Sequence, residues 1–151
     1  MLIYSSEIVR IGDQAHLFLD EGIVVFFGNN APEELQDFAV IHKLMEISEE
    51  IVVGSKICLS NANLEVTAVG PVANENFKNL GHLVLKLDSA TEAALPGDVS
   101  CKYDKKPVIE IGDKLDLSQV GLMNDYIMIS AQGGFSFQSM SNGSAQAISV
   151  G

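Results

Sequence analysis

Tryptophan is absent from the 151 residues, cysteine occurs twice, and Lys and Arg together number only nine. Each shortage closes off a class of function. A nucleic-acid or anionic-lipid surface needs clustered cations to neutralise phosphate, and the only adjacent basic pair is Lys105-Lys106. With 20 acidic residues the formal charge is −11, which favours a basic protein partner steered in by the field. No apolar run reaches the roughly 18 residues that a membrane-crossing helix needs. The opening residues Met1 to Glu7 lack a basic stretch followed by an apolar one, so no secretory signal is read and the expected location is cytoplasmic.

Cys58 and Cys101 stand in strand-like stretches with no Cys-x-x-Cys spacing for zinc or redox work. They read as two small core residues in a reducing compartment, with a disulfide between them left open. The phosphate-cradling P-loop, the Gly-x-Gly-x-x-Gly turn, His-Glu-x-x-His and the Gly-x-Ser-x-Gly elbow are all missing. Asp113 to Asp116 with Glu110 is too sparse for a calcium loop. The pattern thus supplies no nucleotide, metal or serine-hydrolase site, and neither a cofactor nor a metal is expected.

What is present is a hydrophobic content of 47% with only 19% charged residues, enough to build one real core. The apolar residues fall in short β-like runs between turn residues. Strands are predicted near Leu2 to Ile11, His16 to Leu19, Ile23 to Phe27, Lys56 to Leu59 and Leu64 to Val69. Further strands are predicted near His82 to Asp88, Val99 to Lys102, Val108 to Ile111 and Lys114 to Leu117. Gly12-Asp13, Gly54-Ser55, Gly97-Asp98 and Gly112-Asp113 read as turns feeding strands, glycine supplying a positive φ. The expected fold is mainly β, a closed barrel or barrel-like sandwich of short strands with one or two short helices.

The helices are predicted at Asn29 to Leu35, with Pro32 in the first turn and Glu33 and Glu34 at the positive end, and at Asn74 to Leu80 before Gly81. Phe38 to His42 fits either a helical or a strand period, and a strand carrying His42 is preferred. Residues 1–121 are expected to form the domain. Residues 122–151, with Gln132 to Gly151 rich in Gly, Ser, Asn and Gln and devoid of charge, read as a mobile C-terminal extension.

Three histidines remain as carriers of chemistry. His16 lies beside a turn and reads as a surface residue. In His82-Leu83-Val84-Leu85-Lys86-Leu87-Asp88 the alternation sends the leucines to the core and His82 to the other face. Alone it reads as a half-exposed strand residue; its functional reading is a supporting imidazole. His42 is set in a very apolar stretch, Phe38 to Met45, and spacing alone would make it a satisfied core histidine.

The residues around these two histidines change the balance. Ala31-Pro32-Glu33-Glu34-Leu35 with Phe38-Ala39-Val40-Ile41-His42 resembles the active-site segment of the glucitol/sorbitol-specific enzyme IIA family of the bacterial phosphoenolpyruvate-dependent sugar phosphotransferase system. Val66-Thr67-Ala68-Val69-Gly70-Pro71-Val72-Ala73, Asn76, Asn79-Leu80-Gly81-His82-Leu83-Val84-Leu85 and Leu95-Pro96-Gly97-Asp98-Val99 extend the likeness. It runs in order from about Ile3 to about Leu117 and implies a closed, mostly β barrel.

The resemblance implies a phosphocarrier in the uptake of a glucitol/sorbitol-type sugar alcohol. The phosphocarrier protein HPr would phosphorylate His42, which would pass the group to the IIB component of the same permease. His82 matches a family histidine without a defined role and is retained for a possible supporting part. The chemistry is coherent, because a neutral imidazole is a nucleophile near neutral pH and an apolar surround protects phosphoimidazole from water. Its second nitrogen needs a hydrogen bond to fix the tautomer, from His82 or a backbone carbonyl. Two rival readings are a non-catalytic regulatory or binding module on the same fold and a metal enzyme using His42, His82 and a carboxylate.

Overall fold

In a computed structural model, described here for residues 1–119, Leu2–Ser118 closes into a barrel of eight strands. The strands are β1 Leu2–Ile11, β2 Ile23–Gly28, β3 Val40–His42, β4 Lys56–Leu59, β5 Ala62–Val69, β6 Leu83–Lys86, β7 Asp98–Tyr103 and β8 Lys114–Ser118. Around the barrel they run β1-β3-β2-β6-β7-β5-β4-β8, and β8 returns to β1. Pairing is antiparallel except for β2 with β3 and β6 with β7. Closure leaves no sheet edge to be covered. The closed barrel is the first of the two architectures expected. The C-terminal extension expected over residues 122–151 lies outside the described residues.

Alternation explains which side chains enter. Tyr4, Ser6 and Ile8 of β1, Val24 and Phe26 of β2, and Leu83 and Leu85 of β6 are buried, while Ser5, Glu7, Val25 and Val84 between them are half-buried. With Ile57, Leu59, Leu64, Val66, Leu115 and Leu117 they fill the interior.

Among the described residues three short helices accompany the barrel, one more than the upper expectation. α1 (Ala15–Asp20) replaces the strand predicted near His16 to Leu19. Ala15 and Leu19, four residues apart, meet the core while Leu17 stays exposed, so a four-residue apolar run concealed a helical period. α3 (Ala73–Leu80) is where it was predicted, whereas α2 is only Glu33–Gln36, with Pro32 at its N-cap and no Asn cap, and His42 ends a strand as preferred.

Val108 to Ile111 is not a strand. Val108 and Ile111 are exposed, and the Val108 N–H is taken by the Asn61 side chain instead of a ladder partner. Cys101 is a core residue whose thiol burial pushes up to about 12, but Cys58 is exposed because Ile57 and Leu59 hold the inward positions of β4. Both cysteines are free. Of the four turn glycines only Gly54 and Gly112 have positive φ. Gly12 is required for another reason: a Cβ there would lie 2.2 Å from the Gln36 carbonyl oxygen. The Gly12-Asp13 turn also feeds α1 and not a strand.

Candidate functional site

β3 is only three residues long and is held on both sides. His42 stands opposite Ile8 of β1 and Gly28 of β2. Its ring points into the barrel, where the residue is fully buried. Phe77 of α3 lies against it, with centroids 5.7 Å apart and planes at 16°. Tyr4 and Phe26 meet it edge-on at 5.7 and 6.0 Å. These aromatic faces exclude water from the imidazole.

Both ring nitrogens are nevertheless engaged. Nε2 is 3.0 Å from the carbonyl oxygen of Gly81. Nδ1 is 2.9 Å from the Tyr4 hydroxyl and 3.2 Å from the carbonyl oxygen of Lys43. A carbonyl only accepts, so the neutral ring donates its one proton either from Nε2 to Gly81, with the Nδ1 lone pair accepting from Tyr4, or from Nδ1 to Lys43. Burial holds the pKa of His42 below the ordinary 6.5, against the opposing pull of the Gly81 and Lys43 carbonyls. The imidazole is therefore neutral at pH 7. Burial likewise pushes the Tyr4 phenol up, against hydrogen bonds with Met45 and Ser6, so it keeps its proton.

The Gly81 carbonyl reaches His42 because of how α3 ends. Gly81 adopts the left-handed conformation (φ 62°), and the next N–H, of His82, bonds back to the Asn76 carbonyl. A Cβ at Gly81 would fall 2.7 Å from the Gly28 nitrogen and 2.9 Å from His42 Nε2. Glycine satisfies two demands there, the positive φ and the close approach of backbone to ring.

His82 is one residue further on and faces the other way. Its ring is half-buried on the outer side of the barrel wall, stacked on Phe27 at 4.1 Å and 13°. Its Nδ1 lies 3.1 Å from the Phe26 carbonyl oxygen, which fixes the proton on Nδ1. That leaves the Nε2 lone pair without a partner among the described residues. The sequence placed His82 correctly on the outward face. It does not supply the bond that orients His42: the backbone and Tyr4 do. Among the described residues no group of three or more His, Cys, Asp or Glu side chains is placed to hold a metal ion.

His16 is exposed, as predicted, beside a small apolar pocket of about 70 Å³ behind α1. A groove of about 460 Å³ along α3, between Glu49, Glu50, Glu75 and Lys78, reaches neither His42 nor His82. Sequence reasoning missed Tyr4, Phe77 and the Gly81 carbonyl. For Tyr4 a signal existed, since the Tyr4-Ser6-Ile8 alternation buries a phenol that must find a hydrogen-bond partner.

Residues 3–116 match the family described as PTS system glucitol/sorbitol-specific IIA component. Proteins named PTS system glucitol/sorbitol-specific EIIA component, from Shigella flexneri and from Escherichia coli (strain K12), are each 36% identical over 98 residues. The aligned part is 65% of this chain and 80% of either relative. The fold is that of the PTS system IIA component from Enterococcus faecalis V583, with a TM-score of 0.68 at 24% identity, over 76% of this chain and 99% of that one. The matched span holds the whole barrel up to β8, together with His42, His82, Tyr4 and Gly81. This chain belongs to the glucitol/sorbitol-specific IIA component family of the sugar phosphotransferase system.

Proposed function

We propose that the chain carries a phosphoryl group on His42, accepted from phosphorylated HPr and handed to the IIB component during uptake of a sugar alcohol of the glucitol/sorbitol type. The observation that carries this reading is the setting of the His42 ring. It is neutral, shielded by Phe26 and Phe77, and held at its second nitrogen by groups that orient it. A phosphoryl acceptor of this kind needs a free lone pair, a fixed ring and protection from water, since transfer between imidazoles is mainly a matter of position.

Nε2 is the accepting atom in this reading. Its one hydrogen-bond partner is the Gly81 carbonyl, next to the exposed Leu80, whereas Nδ1 meets both Tyr4 and Lys43. Docking of the donor displaces the Gly81 peptide, at the cost of its two hydrogen bonds, to His42 and to Asn76, about 1 kcal/mol each. The acidic rim formed by Glu49, Glu50 and Glu75 beside α3 suits a basic donor surface.

A second reading makes His82 the acceptor. It is favoured by the half-exposed ring whose Nε2 has no partner among the described residues. Incubation with phosphoenolpyruvate, enzyme I and HPr separates the two. Acid-labile, base-stable label lost in His42→Ala and kept in His82→Ala is the expected result. The reverse pattern would transfer the role to His82, and no label on the wild type would leave a binding module on this fold.

A further inference from the structure

We infer that Tyr4 is a positioning residue whose hydroxyl sets the tautomer of His42, locking the ring at rest and supporting the opposite tautomer for attack. The inference rests on His42 as acceptor. Tyr4 Oη lies 2.9 Å from His42 Nδ1, 3.0 Å from the Lys43 carbonyl oxygen and 3.1 Å from the Met45 N–H, with the Ser6 hydroxyl also beside it. Its single proton can go to Nδ1 or to Lys43, never to both.

Each choice fits one tautomer of the ring. At rest the phenol donates to Nδ1, and the ring donates from Nε2 to Gly81. The Lys43 carbonyl is still satisfied, because Ser6 Oγ donates to it at 2.6 Å. When the Gly81 peptide is displaced, the hydroxyl turns to Lys43 and its oxygen accepts from Nδ1–H, while Met45 continues to donate to it. On the Nδ1 side no buried polar atom loses its partner in either state, so the cost of the switch falls on the bonds released with the Gly81 peptide.

The exchange is balanced. With the Gly81 peptide displaced and Nε2 open to solvent, the ring gives its Nε2 proton to water and takes the Tyr4 hydroxyl proton at Nδ1, and water returns a proton to the phenol, so the charge of the pair is unchanged. The Nε2 lone pair then forms the new N–P bond as the donor's P–N bond breaks. That bonding pair stays on the donor imidazole nitrogen, and His42 retains its Nδ1 proton against Tyr4 and Lys43.

Nitrogen-15 NMR of the unphosphorylated chain, with the wild type beside Tyr4→Phe, tests the inference without the donor protein. In the wild type the His42 ring should carry its proton on Nε2 at pH 7. In Tyr4→Phe two carbonyls face a ring with one proton. The expected result is a mixed or reversed tautomer and a titration midpoint moved upward, with a phosphorylation rate about 10- to 100-fold lower. A wild-type ring protonated on Nδ1 would overturn the inference, whether or not the variant folds. So would a Tyr4→Phe ring with unchanged tautomer, midpoint and rate. Failure of wild-type His42 to take label would instead strike the acceptor assignment, and the tautomer measurement would stand apart from it.

Discussion

His42 and His82 are joined through one glycine, yet they occupy opposite environments. His42 is inside the barrel wall with both nitrogens bonded and three aromatic rings around it. His82 is outside the wall, flat on Phe27, with one nitrogen tied to a carbonyl. The strand period alone would send Gly81 inward and His82 outward, and the left-handed turn at Gly81 then aims its carbonyl at the buried ring. The contrast teaches that exposure and preparation for chemistry are separate properties. The outer ring is accessible but fixed by little more than a stack and one hydrogen bond. The inner ring is fixed, dry and neutral, with the Gly81 carbonyl on its Nε2.

The comparison breaks most severely at the glycine. Gly81→Ala places a methyl group against Gly28 and His42 Nε2 and forces a left-handed conformation on alanine. The conformational part alone costs about 1–2 kcal/mol, and the clash adds to it. Urea denaturation should show a loss of at least that size, and the His42 NMR signals should shift because the ring is pushed. An unchanged midpoint would mean that the Gly81 contact is not held in solution.

A smaller effect is expected from pH. The folded His42 has a pKa below its unfolded value of 6.5, so the unfolded chain binds the extra proton first as pH falls. The sign follows: the neutral buried ring costs nothing above the unfolded pKa, and stability is lost progressively as pH drops below it. Thermal unfolding of the wild type between pH 7.5 and about 5.5 should therefore fall more steeply than that of His42→Gln. Equal slopes would remove the claim that burial keeps this ring neutral. Carboxylates shift stability in the same direction at lower pH, and both proteins share them.

The smallest effect belongs to the outer ring. His82→Ala removes a half-buried stack and one hydrogen bond, worth about 1 kcal/mol, and should leave the rate of phosphoryl acceptance within a factor of about three. A loss of two orders of magnitude would show that His82 takes part in the transfer.

Much of this was legible in the sequence, because most of the barrel is written in period 2. Leu83 and Leu85 turn inward and His82 outward as the alternation says, and Asn74 to Leu80 ends at Gly81 as its cap predicts. The failures have a common physical cause. His16 to Leu19 and Val108 to Ile111 are runs of four, too short for period to separate helix from strand or either from an exposed loop. At the site, sequence could nominate His42 but not what holds it. Two of its partners are backbone carbonyls, which every residue possesses, and the third, Tyr4, lies 38 residues away in the chain. Such partners become visible only when the register of β1 against β3 is known.

The central claim, that the buried ring and not the accessible one carries the phosphoryl group, has a direct test that needs no variant. The wild-type chain is phosphorylated by phosphoenolpyruvate, enzyme I and HPr, then digested at alkaline pH to preserve phosphoimidazole. Fragmentation mass spectrometry then locates the group. Phosphate on His42 is the predicted result; phosphate on His82 with none on His42 would contradict the account.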